Sequence, residues 1–377
     1  MLSYKRSLPL KFLYRKGNSD ILQYLPQSDH FFSGSVRSGL LDVIDSLNLS
    51  AGDIVLLSSF VAHGLILPFQ RKKIAIEYYR LTMDLDPDLV DISNKIRNYR
   101  NKIRVIVRIH YFGNFKKSIF ELVGICKEQG IILLEDCVHG LFSKDDSGNP
   151  IGSSGDIAFF SLPKSLPVPD GAIFFINNKA ITVNLQFKRS GYSNISCSFH
   201  LVFLLLKRFE NRFTNYYLAS PVRLLNKVLY GIYYYFLCKV KGNTKISSVS
   251  NMILKNLNYA EIIERKTYIY NYFREKLLDS VRFSLLVDKH ESAHISSGYP
   301  LLLSGSRDKL IHYMRRNGIE LLSYNKFWNF IPDKNNFEIE NKIINNHVLL
   351  PINNEFSDKE VAFIVNSLNS YFDEDSY

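Results

Sequence analysis

Four stretches combine ionisable side chains with the spacing of shaped loops. They are Leu134-Glu-Asp136-Cys-Val-His139, Asp156-Ile-Ala-Phe-Phe-Ser161, Lys164-Ser-Leu-Pro-Val-Pro-Asp170-Gly171 and Ser33-Gly-Ser-Val-Arg37-Ser38-Gly39. Asp136 closes an apolar run that reads as a strand, and ligands of open α/β sheets bind at the carboxyl ends of their strands. An acid in that place also caps helices, so a structural role stands beside the chemical one. Lys164 lies in a loop with prolines at 163, 167 and 169 that ends in Asp-Gly, so the course of the loop is fixed. A lysine held in such a loop is a candidate nucleophile or proton carrier; a solvated loop charge is the plain alternative. Small hydroxyl residues at 33–39 either cap a helix or use its free N–H groups to hold an anion. His110, in the turn His110-Tyr-Phe-Gly113, is a candidate for the substrate side or a turn residue without a role. The cysteines at 126, 137, 197 and 238 form no C-x-x-C pair. No metal site or disulfide framework is expected from them, and a reduced compartment is the simpler reading.

The elements that must position these residues alternate. A helical pattern follows residue 35, with Leu40, Leu41, Ile44 and Leu47 on one face, and Asp53 to Leu57 reads as a buried strand. A turn at Ser58-Ser59 leads into apolar Phe60 to Phe69. Next come a strand from Arg104 to His110, a helix from Lys116 to Gln129 stopped by Gly130, and a strand from Ile131 to Glu135. Shorter strands at Asp156–Ser161 and Ala172–Asn177 flank the lysine loop. Strands separated by helices predict an α/β fold with a mainly parallel sheet between helices. Beyond residue 251 a long amphipathic helix, a strand at 299–303, a helix at 307–316, a strand at 347–350 and a helix at 358–371 predict a small α+β lobe. The expected organisation is a large ligand-binding domain over 1–187, a basic aromatic helical segment over 188–250 and a small C-terminal domain over 251–377.

The order of these features resembles the DegT/DnrJ/EryC1/StrS family of sugar aminotransferases, which use pyridoxal 5'-phosphate (PLP) on the fold type I scaffold of aspartate aminotransferase. The resemblance runs through SGSVRSGL, GDIVLLSSF, VRIHYFG, ILLEDCVH, GSSGDIAFFS, KSLPVPDGA, GYPLLLSGSRDKLIHYMRRNGIE and HVLLPINNEFSDKEVAFIVNSL. It implies that Lys164 is the catalytic lysine that bonds to the cofactor aldehyde and then carries the proton. Asp136 is implied to keep the pyridine nitrogen protonated, so that the ring draws electrons from the substrate carbon. His139 is implied to orient the ring, Ser161 with Arg37 and Ser38 to hold the phosphate, and Phe60, with His63 second, to stack on the outer face of the ring. A satisfied histidine at a helix start and a core phenylalanine are the bland readings of His139 and Phe60.

The resemblance further implies transfer of an amino group, with glutamate as donor, to a keto-sugar, commonly nucleotide-linked, in polysaccharide or glycoconjugate synthesis. It implies a homodimer with the sites at the subunit boundary. The partner's usual asparagine motif is altered here to Gly191-Tyr-Ser-Asn194-Ile-Ser196, where either Asn194 is a substitute shifted by one residue or the motif is lost and the cross-subunit contact with it. A PLP enzyme acting on another carbonyl substrate, and a catalytically silent relative with a regulatory or membrane-docking role, are the alternatives.

The chain has 377 residues, 46% of them hydrophobic and 22% charged, which excludes a disordered or fibrous protein. Its net charge of +11 is concentrated: from 188 to 245 ten basic residues face one acid, Glu210, giving +9 and leaving +2 elsewhere. Twelve aromatic residues share that segment. It reads as an interfacial surface for anionic lipid, a remodelled pocket for a diphosphate-linked substrate, or two ordinary helices packed on another subunit. Nucleic acid is not expected, since no helix-turn-helix, RNP or KH signature accompanies the charge. No signal peptide and no membrane-spanning run is apparent, so the enzyme is expected in the cytoplasm, with the segment as its possible contact with the inner membrane face.

Overall fold

A computed structural model describes residues 2, 18–185, 191–212, 220–239, 241–277, 283–286, 295, 298–324 and 337–374. Seven strands form the large sheet: β1 (Asp29–Ser33), β2 (Ile54–Ser58), β3 (Ala75–Tyr79), β4 (Ile103–Ile109), β5 (Ile132–Asp136), β6 (Ile157–Ser161) and β7 (Ala172–Ile176). Their order is β1-β7-β6-β5-β4-β2-β3, with β2 to β6 parallel and β7 antiparallel to both its neighbours, β6 and the edge strand β1. β2, β6 and β7 are apolar nearly throughout because helices cover both faces of the sheet, which removes the alternation of a half-exposed strand. Those helices are α1 (Val36–Ser46), α2 (His63–Arg71), α3 (Leu89–Tyr99) and α4 (Ser118–Gln129), and a single turn, α5 (Leu162–Ser165), follows β6. Gly130 ends α4 in the left-handed conformation at φ 64°, as its place after the periodic run predicts.

The basic aromatic segment is a helical hairpin, α6 (Gly191–Arg212) and α7 (Ser220–Leu237). After α8 (Ser248–Asn256) and α9 (Tyr259–Lys276), a three-stranded antiparallel sheet of β8 (Phe283–Leu285), β9 (Gly298–Leu303) and β10 (His347–Pro351) packs with α10 (Arg307–Arg316), α11 (Glu338–Asn346) and α12 (Asp358–Glu374). The predicted helix from 251 is two helices, because Asn258 starts a new one by accepting from Glu261 N–H. Two apolar clusters result. Ile253, Leu254 and Ile262 join the core of the large sheet, and Ile269 and Phe273 join that of the small one, so the division runs along α9. β3 and α3 were not visible as elements in the sequence pattern. Half-buried β3 ends the sheet, and Asp88 caps α3 by accepting from the N–H groups of Val90 and Asp91.

Candidate active site

A cavity of about 680 Å³ opens at the carboxyl ends of β5 and β6, where the topology of an open α/β sheet places ligands. Asp136 is the last residue of β5, and its main chain is pinned on both sides: His110 N donates to Asp136 O at 2.9 Å and Cys137 N donates to Phe159 O at 3.0 Å. The Asp136 carboxylate accepts from Val138 N at 3.0 Å and faces the cavity. Burial pushes its pKa up to about 6, against the opposing pull of Lys164.

Lys164 stands on α5 three residues after Ser161, the end of β6. Its loop is tied down at several points. Leu162 N donates to Gly171 O, and Gly171 N donates to Gly34 O at 3.0 Å. The Asp170 carboxylate accepts from Ser247 N and Oγ and from Ser250 Oγ. Gly171 takes φ 119°, a conformation reserved for glycine, with Ile246 packed where a side chain would stand.

The lysine amine lies 3.1 Å from His139 Nε2, and Phe112 N donates to His139 Nδ1 at 3.4 Å. Burial, then the neighbouring Lys164, hold His139 well below the usual imidazole pKa, so the ring is neutral. With Nδ1 accepting, Nε2 carries the proton and can donate to the lysine in its unprotonated form. The lysine's own shift agrees in direction: burial lowers its pKa to about 8, Asp136 pulls it up and Arg37 pushes it further down. Its side chain is nevertheless open to the cavity, so solvent there screens part of the burial cost.

The start of α1 supplies the opposite wall. Gly34, Ser35, Val36 and Arg37 line the cavity with Ser161. Ser35 caps the helix by accepting from Ser38 N. The buried Arg37 Nε has no hydrogen-bond partner, and the guanidinium lies 5.0 Å from the Tyr234 ring. No carboxylate pairs with it among the described residues. An unsatisfied guanidinium beside free helix N–H groups is a fitting place for a phosphate. Together with a buried carboxylate and a lysine of lowered pKa, this donor set fits PLP: Ser35, Arg37 and Ser161 for its phosphate, Asp136 for its ring nitrogen and Lys164 for its aldehyde.

The structure does not bring every candidate to the cavity. Ser38 is buried behind α1, where its hydroxyl donates to Lys241 O at 2.9 Å and accepts from Thr244 Oγ1 at 2.5 Å. Ser35, the actual cap, faces the cavity instead. Phe60 is fully buried, stacked on Tyr111 at 5.3 Å, because the chain turns inward at Ser59, whose hydroxyl donates to Glu340 at 2.7 Å. His63 is exposed, and Ala62, Gly64 and Leu65 line the cavity from that stretch. His110 points into the core and meets Glu135 at 2.7 Å. His110, Glu135 and Cys137 bring three donor atoms close together, but the Arg108 guanidinium 3.4 Å from His110 Nδ1 opposes a cation there. Asn194 is exposed on α6.

Sequence reasoning missed most of the remaining wall, which the hairpin supplies. Ser196, His200, Phe203 and Leu204 on α6, and Lys227, Tyr230, Gly231 and Tyr234 on α7, line the cavity. The α6 set is spaced i, i+4, i+7, i+8 and the α7 set i, i+3, i+4, i+7, each the spacing of one helix face, which was the available signal. His200 Nδ1 donates to Pro169 O at 2.6 Å, so α6 also braces the lysine loop. Of the basic residues, Lys207 is buried and pairs with Glu210 at 2.8 Å and Glu320 at 3.6 Å. The outward side of α7 exposes Leu224, Leu225, Val228 and Tyr235. Among the described residues no helix is long and apolar enough to cross a membrane.

Residues 35–200 match the model of the DegT/DnrJ/EryC1/StrS aminotransferase family. Solved structures share the whole fold at low identity. The aminotransferase TlmJ from Streptoalloteichus hindustanus is 13% identical with a TM-score of 0.70, and both chains are fully covered. PseC from Helicobacter pylori, an aminotransferase involved in pseudoaminic acid biosynthesis, is 12% identical with a TM-score of 0.70 and 99% of each chain covered. A DegT DnrJ EryC1 StrS aminotransferase from Brucella abortus is 13% identical with a TM-score of 0.66, covering 95% of this chain and 91% of its own.

Proposed function

We propose that this chain, whose residues 35–200 match the DegT/DnrJ/EryC1/StrS aminotransferase family model, is a PLP-dependent aminotransferase that moves an amino group from glutamate to a nucleotide-linked keto-sugar. The observation that carries the proposal is the shared cavity, in which Lys164, Asp136 and the α1 start meet a second wall rich in tyrosine, histidine and lysine. Bound there, PLP supplies an aldehyde that accepts amines and a ring that withdraws electrons from the attached carbon. The chain's own residues do the rest. Asp136, ionised at neutral pH, holds a proton on the ring nitrogen. Lys164, its pKa lowered by burial beside His139, takes and returns the proton at the reacting carbon. Arg37, Ser35 and Ser161 hold the phosphate and so fix the ring's position. The hairpin wall limits access of water and receives the acceptor.

This reading places the enzyme in polysaccharide or glycoconjugate synthesis in the cytoplasm, where the thiols of Cys126, Cys137 and Cys197 stay reduced and buried. The outward apolar row of α7 suits the homodimer contact. A peripheral membrane contact would use that same row and not Lys207, which is buried.

Purified protein incubated with PLP should show a visible absorption band that Lys164→Ala abolishes. Adding glutamate should bleach the band and release 2-oxoglutarate, and a panel of keto-sugar nucleotides should then restore it. A protein that takes up no PLP is a silent relative; one that reacts with glutamate but with none of the panel acts on another carbonyl substrate.

A further inference from the structure

Taking the acceptor to be nucleotide-linked, as proposed above, we infer that Lys227 on α7 is a specificity residue that pairs with the diphosphate of that acceptor. The inference rests on a charge account of the cavity. Among the described residues its lining holds three lysine and arginine side chains, Arg37, Lys164 and Lys227, and two acids, Asp136 and Asp170. Asp170 is occupied by the donors of Ser247 and Ser250. Asp136, Arg37 and Lys164 fit the ring nitrogen, phosphate and aldehyde of the cofactor. Lys227 alone is left over. It is exposed and has no carboxylate partner among the described residues.

Its neighbours on the same helix face give the charge a direction. Tyr230 and Tyr234 follow at i+3 and i+7 and line the same cavity, and Tyr234 lies against Arg37. A path therefore runs along α7 from the cofactor's phosphate end at Tyr234, past Tyr230, to a free ammonium at Lys227. An anion linked to a sugar whose reacting carbon reaches Lys164 would extend along this path. Lysine, a compact and mobile charge, suits a diphosphate that is read by charge more than by a fixed fork of hydrogen bonds.

The test is calorimetric titration of the PLP-loaded protein with uridine diphosphate and with inorganic diphosphate, at low and moderate salt. Lys227→Met should weaken both about tenfold and flatten the salt dependence, while Lys227→Arg should recover most of the loss. Tighter binding of uridine diphosphate than of inorganic diphosphate marks a nucleotide source for the anion; equal binding marks the bare diphosphate. With a turned-over acceptor, Lys227→Met should raise KM and spare kcat, since the contact lies away from the reacting carbon. Because the side chain is exposed, the retained visible band serves as the check on folding. Unchanged affinity and KM in Lys227→Met would overturn the inference and leave the aminotransferase reading intact. A wild-type protein that binds neither diphosphate would also overturn it. If no nucleotide-linked sugar reacts, the acceptor reading falls separately.

Discussion

The state of Lys164 before the cofactor arrives can be read from the pH dependence of PLP capture by the apoprotein. Only the unprotonated amine attacks an aldehyde. An ordinary lysine titrates near 10.5, which at pH 7 leaves roughly one amine in three thousand unprotonated. Burial lowers Lys164 to about 8, and at pH 7 about one in ten is then ready, roughly 300-fold more. The initial rate at which the visible band grows should therefore rise with pH to a half-point near 8 and level off above it. Two variants fix the sign. Asp136, ionised at that pH, favours the protonated lysine, so Asp136→Asn should move the half-point down; Arg37 disfavours it, so Arg37→Met should move it up. Stopped-flow absorbance on the three apoproteins gives the three half-points. A wild-type half-point at 10 or higher, or an upward shift in Asp136→Asn, would refute the placement of Lys164 between Asp136 and Arg37.

Arg37→Met should also weaken PLP binding about tenfold in equilibrium titrations of the visible band, because the guanidinium has no carboxylate partner among the described residues. Lys207→Met should lower stability by about 3–5 kcal/mol in chemical denaturation, since Glu210 would keep its burial and lose its closest cation. Glu135→Gln should cost about 1–3 kcal/mol by the same measurement, because the new amide can keep its oxygen on the N–H groups of Ser154 and Gly155 only by setting its NH2 against the ring of His110.

Much of the large sheet was legible because its strands are apolar runs bounded by strong punctuation. Gly130 stops α4 and the Asp-Gly at 170–171 closes the lysine loop, and in both places the structure has the positive φ that the glycine foretells. Asp136 and Lys164 each stood at a legible strand end or loop, but only the family resemblance paired them. What could not be read was direction at the scale of one residue. Ser35 and Ser38 are both hydroxyls at one helix start, yet the helix rotates them to opposite sides. Phe60 lies in the stretch expected to stack on the ring, but a hydrogen bond from Ser59 to Glu340, 281 positions away, turns its side chain into the core. His110 is drawn inward in the same way by Glu135. Such distant partners leave no local pattern.

The hairpin shows the opposite limit. Its charge was visible from composition, but a count of lysines and arginines does not say which are solvated. Lys207 spends its charge inside the protein on Glu210 and Glu320, joining α6 to the small lobe. Lys227 stands in the first half of α7 and faces the cavity. The two differ by the helix face they occupy and by the presence of an acid one turn away, as Glu210 stands to Lys207. Lys227 has no acid within a turn on either side in the sequence. That lack of a local partner, joined to a cavity-facing position, is what separates a structural cation from one left free for a ligand.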